Sequence, residues 1–218
     1  MHIEPGLIAQ PKLVFAAVAA VGVLLAHLPQ WLRQFGTAAP RTLLAAVFFS
    51  VFMQAFHMPA GPSELHFLGA MPIYIAFGYL PTLLGLPLGL LLQGLLFDPQ
   101  DLPHLAVNAL SLMLPLMAVH FTLGQRLLAA GTPVRVATLV KLDGVFYSGV
   151  VAMVAFWLSL SSGAGALAGF ETFALHYAPL VLLEPAVTLA VLWLLRPQSW
   201  LMRQRFAAWC FESRTAQA

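Results

Sequence analysis

Apolar residues fall in long runs along this chain, without the alternation of a half-buried strand or the one-sided stripe of a soluble helix. The runs lie near 12–28, 41–57, 66–80, 81–97, 104–124, 135–159 and 172–195. Most approach the ~20 residues that a membrane-crossing helix needs. The third and fourth are continuous, from Phe67 to Phe97, and are broken by Gly78, Pro81, Gly85 and Pro87. One helix cannot hold so long a run without extreme tilt, so the pattern predicts two short spans joined by a Pro/Gly turn. The expected fold class is all-α: a polytopic membrane protein with about seven transmembrane helices. The expected organisation is a single integral membrane domain over 1–218. Residues 1–11 form an outer N-terminal tail, 12–195 the transmembrane helices and 196–218 a cytoplasmic interfacial tail.

Composition strengthens the membrane reading and removes alternatives. Of 218 residues, 61% are hydrophobic and 8% charged, and mean hydropathy is +0.88. Ordinary soluble domains carry roughly 25% charged residues. Ten basic and eight acidic side chains cannot cover a soluble globule of this size. That excludes a soluble enzyme, a disordered chain, a coiled coil and a nucleic-acid binder, and makes membrane lipid the surrounding medium. Cys210 is the sole cysteine, so no intrachain disulfide or CxxC metal knuckle forms. No signal peptide is expected, because the opening lacks a basic segment. There is no Walker-type loop, HExxH or GxSxG, so no ATPase or familiar hydrolase chemistry is encoded.

The few charges sort by loop. Arg33 and Arg41 flank the junction after the first run, and Arg126 and Arg135 the loop after the fifth. Arg196, Arg203, Arg205 and Arg214 follow the seventh. Glu64, Asp98, Asp101 and Glu171 occupy the remaining larger loops. Positive charge favours the cytoplasmic side, so the pattern predicts an outer N-terminus, a cytoplasmic C-terminus and an odd number of spans. Lys12 is the basic exception. The stretch Trp200–Phe211 mixes aromatic residues with Arg203 and Arg205 and reads as an amphipathic helix at the cytoplasmic interface.

With that topology, five of the seven histidines gather at the outer face: His2, His57, His66, His104 and His176. Only His27 and His120 fall near the cytoplasmic ends. Imidazole suits nickel, cobalt, copper and zinc, and polar groups at membrane depth are costly enough to suggest function. Taken singly, each histidine reads better as a helix cap or a headgroup contact; it is the clustering that points to a metal. Met followed by bulky His should keep its initiator Met. A chain starting there offers three nitrogens in two fused chelate rings: the α-amine, the His2 amide and the His2 ring. The amine's pKa of roughly 7.7–8 permits deprotonation near neutrality. Three coplanar nitrogens and a fourth ligand from elsewhere suit Ni(II) or Cu(II) in tetragonal geometry.

Four islands in order resemble a known family. Met1-His2-Ile3-Glu4-Pro5-Gly6 is similar to the MHI-x-x-G opening of the cobalt/nickel substrate-binding membrane subunits (CbiM/NikM type) of energy-coupling factor (ECF) transporters. Gly61-Pro62-Ser63-Glu64-Leu65-His66-Phe67-Leu68-Gly69-Ala70 resembles that family's Gly-rich loop ending in His-Leu-Leu-Gly. Gln93-Gly94-Leu95-Leu96-Phe97, followed by Asn108, resembles its Gln-x-Leu-x-Phe…Gly-x-Asn segment. His176-Tyr177-Ala178-Pro179, with Glu184-Pro185-Ala186-Val187-Thr188, resembles its His…Glu-Gly-x-x-Thr span.

The resemblance implies an ABC-transporter permease subunit that captures Ni(II) or Co(II) as transported substrate in a bacterial inner membrane. It has no organic cofactor and no ATPase of its own. ECF ATPase subunits, a coupling transmembrane subunit and a small accessory membrane subunit are the partners implied. The metal ligands carried over are Met1, His2 and His66. Gln93, Asn108, His176 and Glu184 match family positions as supporting or additional residues. His57 and His104 lie outside the family pattern but share the outer face. The loop departs from the pattern at Pro62, Glu64 and Leu65, and Asp98-Pro99-Gln100-Asp101 stands in place of a Gly-Asp-Gly-Gly turn.

Further readings follow from position. Glu184, mid-span, is expected to be neutral or paired, either supporting His176 or Asn108 or bonding between helices. Lys141 and Asp143, two apart on one helix, should not face each other; snorkelling or a partner-subunit contact is expected. Ala16/Ala20 and Gly22/Ala26 are small-xxx-small pairs, suited either to internal packing or to docking of the coupling subunit. Two other function classes fit the composition. One is an intramembrane metalloenzyme using His57, His66, His104 and His176 with Asp98 or Asp101. The other is a solitary metal-sensing or structural membrane subunit.

Overall fold

A computed structural model describes residues 2–3, 8–55, 57–60, 63–127, 135–160, 170, 183–195, 199 and 207–211. Met1, Glu171, His176 and the whole of 200–206 lie outside the described residues. The all-α expectation holds, and among the described residues five helices are long and apolar enough to cross a membrane. These are α1 (Gln10–Arg33), α2 (Phe35–Ala55), α4 (Tyr79–Leu96), the composite Pro99–Gly124 containing α5 (Leu105–Val119), and α7 (Val136–Ser159). Shorter helices are α3 (Ala70–Phe77), α6 (Gln125–Leu127), α8 (Leu183–Leu194) and α9 (Ala207–Cys210).

The long apolar run does break in two, but at Gly78 and not at Pro81. Gly78 has φ 88°, a conformation glycine adopts without steric cost. It caps α3 and begins α4. The surprise is the length of α3. Eight residues rise only ~12 Å, against a hydrocarbon core of ~30 Å. A helix that stops inside the bundle must bury its end, and every residue of α3 is buried.

Two glycines let α4 press closely against α2. A Cβ at Gly85 would lie 2.6 Å from Ala45 Cβ, and one at Gly89 would lie 2.9 Å from the Ala46 carbonyl. Their four-residue spacing presents one bare stripe of α4 to α2, the small-residue contact that membrane helices use. Ser50 Oγ adds a 3.0 Å hydrogen bond to the Gly89 carbonyl.

On α1 the two small-residue pairs part company. Ala16 and Ala20 are buried, whereas Gly22 and Ala26 are exposed and nothing lies within 4 Å of a Cβ at Gly22. Val14, Phe15, Val18, Val21 and Leu25 share that outward surface. Lys12 at the start of α1 donates to the Leu160 carbonyl at the end of α7, where a helix leaves carbonyls unpaired. Lys141 is exposed, as snorkelling predicts, but Asp143 is not: its exposure is 0%. A helix places residues two apart ~200° from each other, so one faces out and the other in.

The tail does more than lie on an interface. Phe211 stacks on Phe77 at 5.7 Å, and Arg41 Nε donates to the Trp209 carbonyl at 3.2 Å. α9 therefore packs against α2 and the end of α3.

One element was not expected. Strands β1 (His2–Ile3), β2 (His57–Ala60) and β3 (Ser63–His66) form an antiparallel sheet in the order β1-β3-β2. It closes the end of the bundle where α2 finishes.

Candidate metal centre

The sheet register brings distant parts of the sequence together. His2 pairs with Glu64 and Ile3 with Ser63. On the other side of β3, His57 pairs with His66 and Pro59 with Glu64. Successive residues of a strand alternate between faces. Positions 2, 64, 66 and 57 therefore belong to one face. His2 and His66 stand as a diagonal pair, a relation that places Cα atoms ~7–8 Å apart, within reach of long side chains.

His66 ends β3 and is 4% exposed. Its Nδ1 lies 3.2 Å from the Met53 carbonyl oxygen. A carbonyl only accepts, so Nδ1 carries the hydrogen and Nε2 carries the lone pair in the neutral ring. A backbone hydrogen bond of this kind is how metal-binding histidines are commonly oriented. Met53 was not singled out from sequence, and a carbonyl's direction leaves no mark in residue type.

The link from His66 to α3 is equally fixed. Phe67 and Leu68 are buried, and Gly69 adopts φ 59°, ψ 28°. A Cβ at Gly69 would fall 2.2 Å from Phe52 Cδ2. Only glycine suits that position, both for its left-handed backbone and for the ring pressed against it. Phe52 in turn meets Phe67 edge-on at 5.5 Å.

Glu184 completes this link from α8. Its Oε1 accepts the Met71 N–H at 2.8 Å, and the N–H groups of Gly69 and Ala70 also bond its carboxyl. Tyr147 on α7 donates its hydroxyl to Oε2. A carboxyl placed against a helix's first N–H groups satisfies donors that the helix itself leaves open. Glu184 thus bonds between helices, and Tyr147 is a partner that the apolar run concealed. Asn108 is not its partner in these bonds, and His176, the other partner expected for it, lies outside the described residues. Thr188 Oγ1 returns to the Glu184 carbonyl at 2.9 Å, one turn on.

A second group lies where the 3-10 turn Pro99–His104 meets β1. His104, at the end of that turn, is 3% exposed, and Asn108 follows one helical turn later, also buried. Gln93 on α4 is buried too, and its backbone carbonyl accepts the N–H groups of Phe97 and Asp98 just before the turn. Among the described residues no set of three or more His, Cys, Asp or Glu side chains converges as a ready metal cage.

The two remaining histidines lie at the opposite end. His27 Nδ1 donates to the Val23 carbonyl at 2.9 Å, and its Nε2 is 3.1 Å from the Tyr79 hydroxyl. His120 stacks on Tyr79 at 3.8 Å with rings 2° from parallel. Its Nδ1 meets the Tyr74 hydroxyl at 2.8 Å and its Nε2 meets Gln125 Nε2 at 3.3 Å. His120 also opens the π-helical turn His120–Gly124, a local widening that often marks a special site.

A mostly helical bundle with lipid-length apolar helices and a histidine-bearing sheet at one end defines an integral membrane protein of the transporter kind. Residues 2–202 match the family described as the cobalt uptake substrate-specific transmembrane region, CbiM, and the chain belongs to that family. Its fold is similar to a solved structure titled as that of a truncated transition metal transporter. The TM-score is 0.71 at 18% identity, covering 89% of this chain and 98% of that one. No curated protein matches the sequence. Family membership makes the chain a membrane component of metal uptake.

Proposed function

We propose that this protein is the substrate-capture subunit of an ECF transporter for Ni(II) or Co(II) in a bacterial inner membrane. The cargo binds through the Met1 amine, the His2 amide and ring nitrogens, and Nε2 of His66. The observation that carries this reading is the pairing of residues 2–3 with 63–64, which sets His2 diagonally across from a buried His66. The orientation of His66 by the Met53 carbonyl supports it further. Three ligand nitrogens from one terminus need little chain ordering beyond β1, and the hairpin supplies the fourth.

In this reading the N-terminus faces outward, seven helical segments cross or enter the membrane, and the 58–66 hairpin closes over the ion. The chain has no ATP-binding motif, so partner ATPases and a coupling membrane subunit drive reorientation. The exposed Gly22/Ala26 surface of α1 is the docking face for the coupling subunit. Amine, amide and imidazole must all lose or withhold protons to bind, so affinity falls as pH is lowered.

The test is calorimetric titration of Ni(II) into purified chain beginning at Met1, beside a chain carrying one extra residue before it. The extension should remove high-affinity binding, because it displaces the amine. Unchanged affinity in the extended chain would refute the site.

A further inference from the structure

His104 has no role in the capture site, yet it is the least satisfied histidine among the described residues. Neither Nδ1 nor Nε2 has a hydrogen-bond partner there, although the residue is 3% exposed. A neutral imidazole has one N–H and one lone pair to place. Leaving a buried polar group unpaired costs about 1–3 kcal/mol.

Gln93 repeats the anomaly from the neighbouring helix. Its Oε1 is buried and also lacks a partner among the described residues. Gln93 precedes Gly94, where a Cβ would lie 2.6 Å from Leu102 Cδ2 in the same 3-10 turn that ends at His104. Apolar side chains of similar volume would be more stable at both positions. The turn is the one against which β1, the strand bearing His2, is packed. An imidazole lone pair and an amide oxygen are both donors to divalent first-row metals.

We propose that His104 and Gln93 form a second, inner station for the divalent cation, which takes the ion onward from the outer capture site. The inference rests on the capture role of His2 and His66. Position gives the order of events: His2 lies on the terminal strand β1, whereas His104 directly precedes α5 and is buried where its turn meets that strand. The inner station, with one imidazole and one neutral oxygen, binds more weakly than the four-nitrogen site, as a station that must pass its ion on requires.

The test is calorimetric titration of Ni(II) into the full chain in detergent, unmutated and as His104→Ala, Gln93→Leu and His2→Ala. The unmutated chain should show a tight and a weaker phase. His104→Ala should weaken the second phase at least tenfold and leave the first within about twofold, and Gln93→Leu should also weaken the second phase at least tenfold. His2→Ala should do the reverse. A single phase that His104→Ala leaves unchanged overturns the inner station while the capture site stands. No binding by the unmutated chain overturns the capture reading itself. Because His104→Ala could fail to fold, His104→Gln preserves bulk and polarity. Nickel-edge X-ray absorption at two equivalents then gives a further readout. Planar four-coordinate nickel plus a mixed nitrogen–oxygen species, the latter lost in His104→Gln, supports the proposal. Planar nickel alone overturns it.

Discussion

The two ends of the bundle both carry histidines, and they use them in opposite ways. At the end away from the sheet, His27 and His120 each engage both ring nitrogens, with Tyr79, Tyr74, Gln125 and the Val23 carbonyl. Their rings tie α1 to α4 and the π-helical turn to α3 and α4. At the sheet end, His66 is held through Nδ1 by one carbonyl, and His104 finds no partner among the described residues. The same side chain is mortar at one end, while at the other it belongs to the sites proposed above. Burial does not mark the sheet end as exposed: His66 and His104 are as buried as core residues.

This contrast can be broken most severely at His66. His66→Ala should lower Ni(II) affinity by more than the ~10–100-fold typical of losing a supporting contact to a ligand, with the helical content by circular dichroism unchanged. Gly69→Ala should come next. The left-handed backbone alone costs about 1–2 kcal/mol, and the clash with Phe52 adds to it. A lower melting temperature and weakened metal binding should appear together in that variant. Glu184→Gln keeps shape but replaces one acceptor oxygen at the start of α3 with an N–H donor. Metal affinity should drop within the ~10–100-fold range of supporting residues, and unaltered affinity would mean that α3 holds His66 without it. The mildest effect belongs to the other end. His120→Phe should keep the stack on Tyr79 and lose hydrogen bonds worth about 0.5–1.5 kcal/mol each. Stability should fall while Ni(II) affinity stays within about twofold. A large loss of binding there would erase the distinction between the ends.

Much of the bundle was legible in the sequence, because lipid imposes one simple requirement: long apolar helices with satisfied backbones. The break between α3 and α4 was visible in the glycines and prolines of 78–87. The sheet was not. Its strands are two to four residues long and lie between apolar runs, where periodicity has too few positions to act. The same shortage hid α3 as a half-length helix: an apolar run looks alike whether it crosses or stops midway. For the site, residue types marked His66, His104, Gln93 and Glu184 as worth attention. Tyr147, the Met53 carbonyl and the turn at Gly69 emerged only from geometry, since each matters through where it points. Asp143 was misplaced because two residues apart on a helix says that Lys141 and Asp143 diverge, not which of them faces inward.

The half-length helix α3 makes the carboxyl of Glu184 a mechanical anchor. Only Phe67, Leu68 and Gly69 separate His66 from the N-terminus of α3, a link that spans at most ~14 Å even when taut. Its two aromatic and aliphatic side chains are wedged in place and its one glycine is pinned by a ring. A sideways or vertical step of α8 would pull the start of α3 with it, and β3 has no slack to absorb the pull. If His66 holds the ion as proposed, grip on it is thereby coupled to the seating of a single helix. A machine that rocks the subunit in the membrane could loosen the cargo without ever touching the hairpin that holds it.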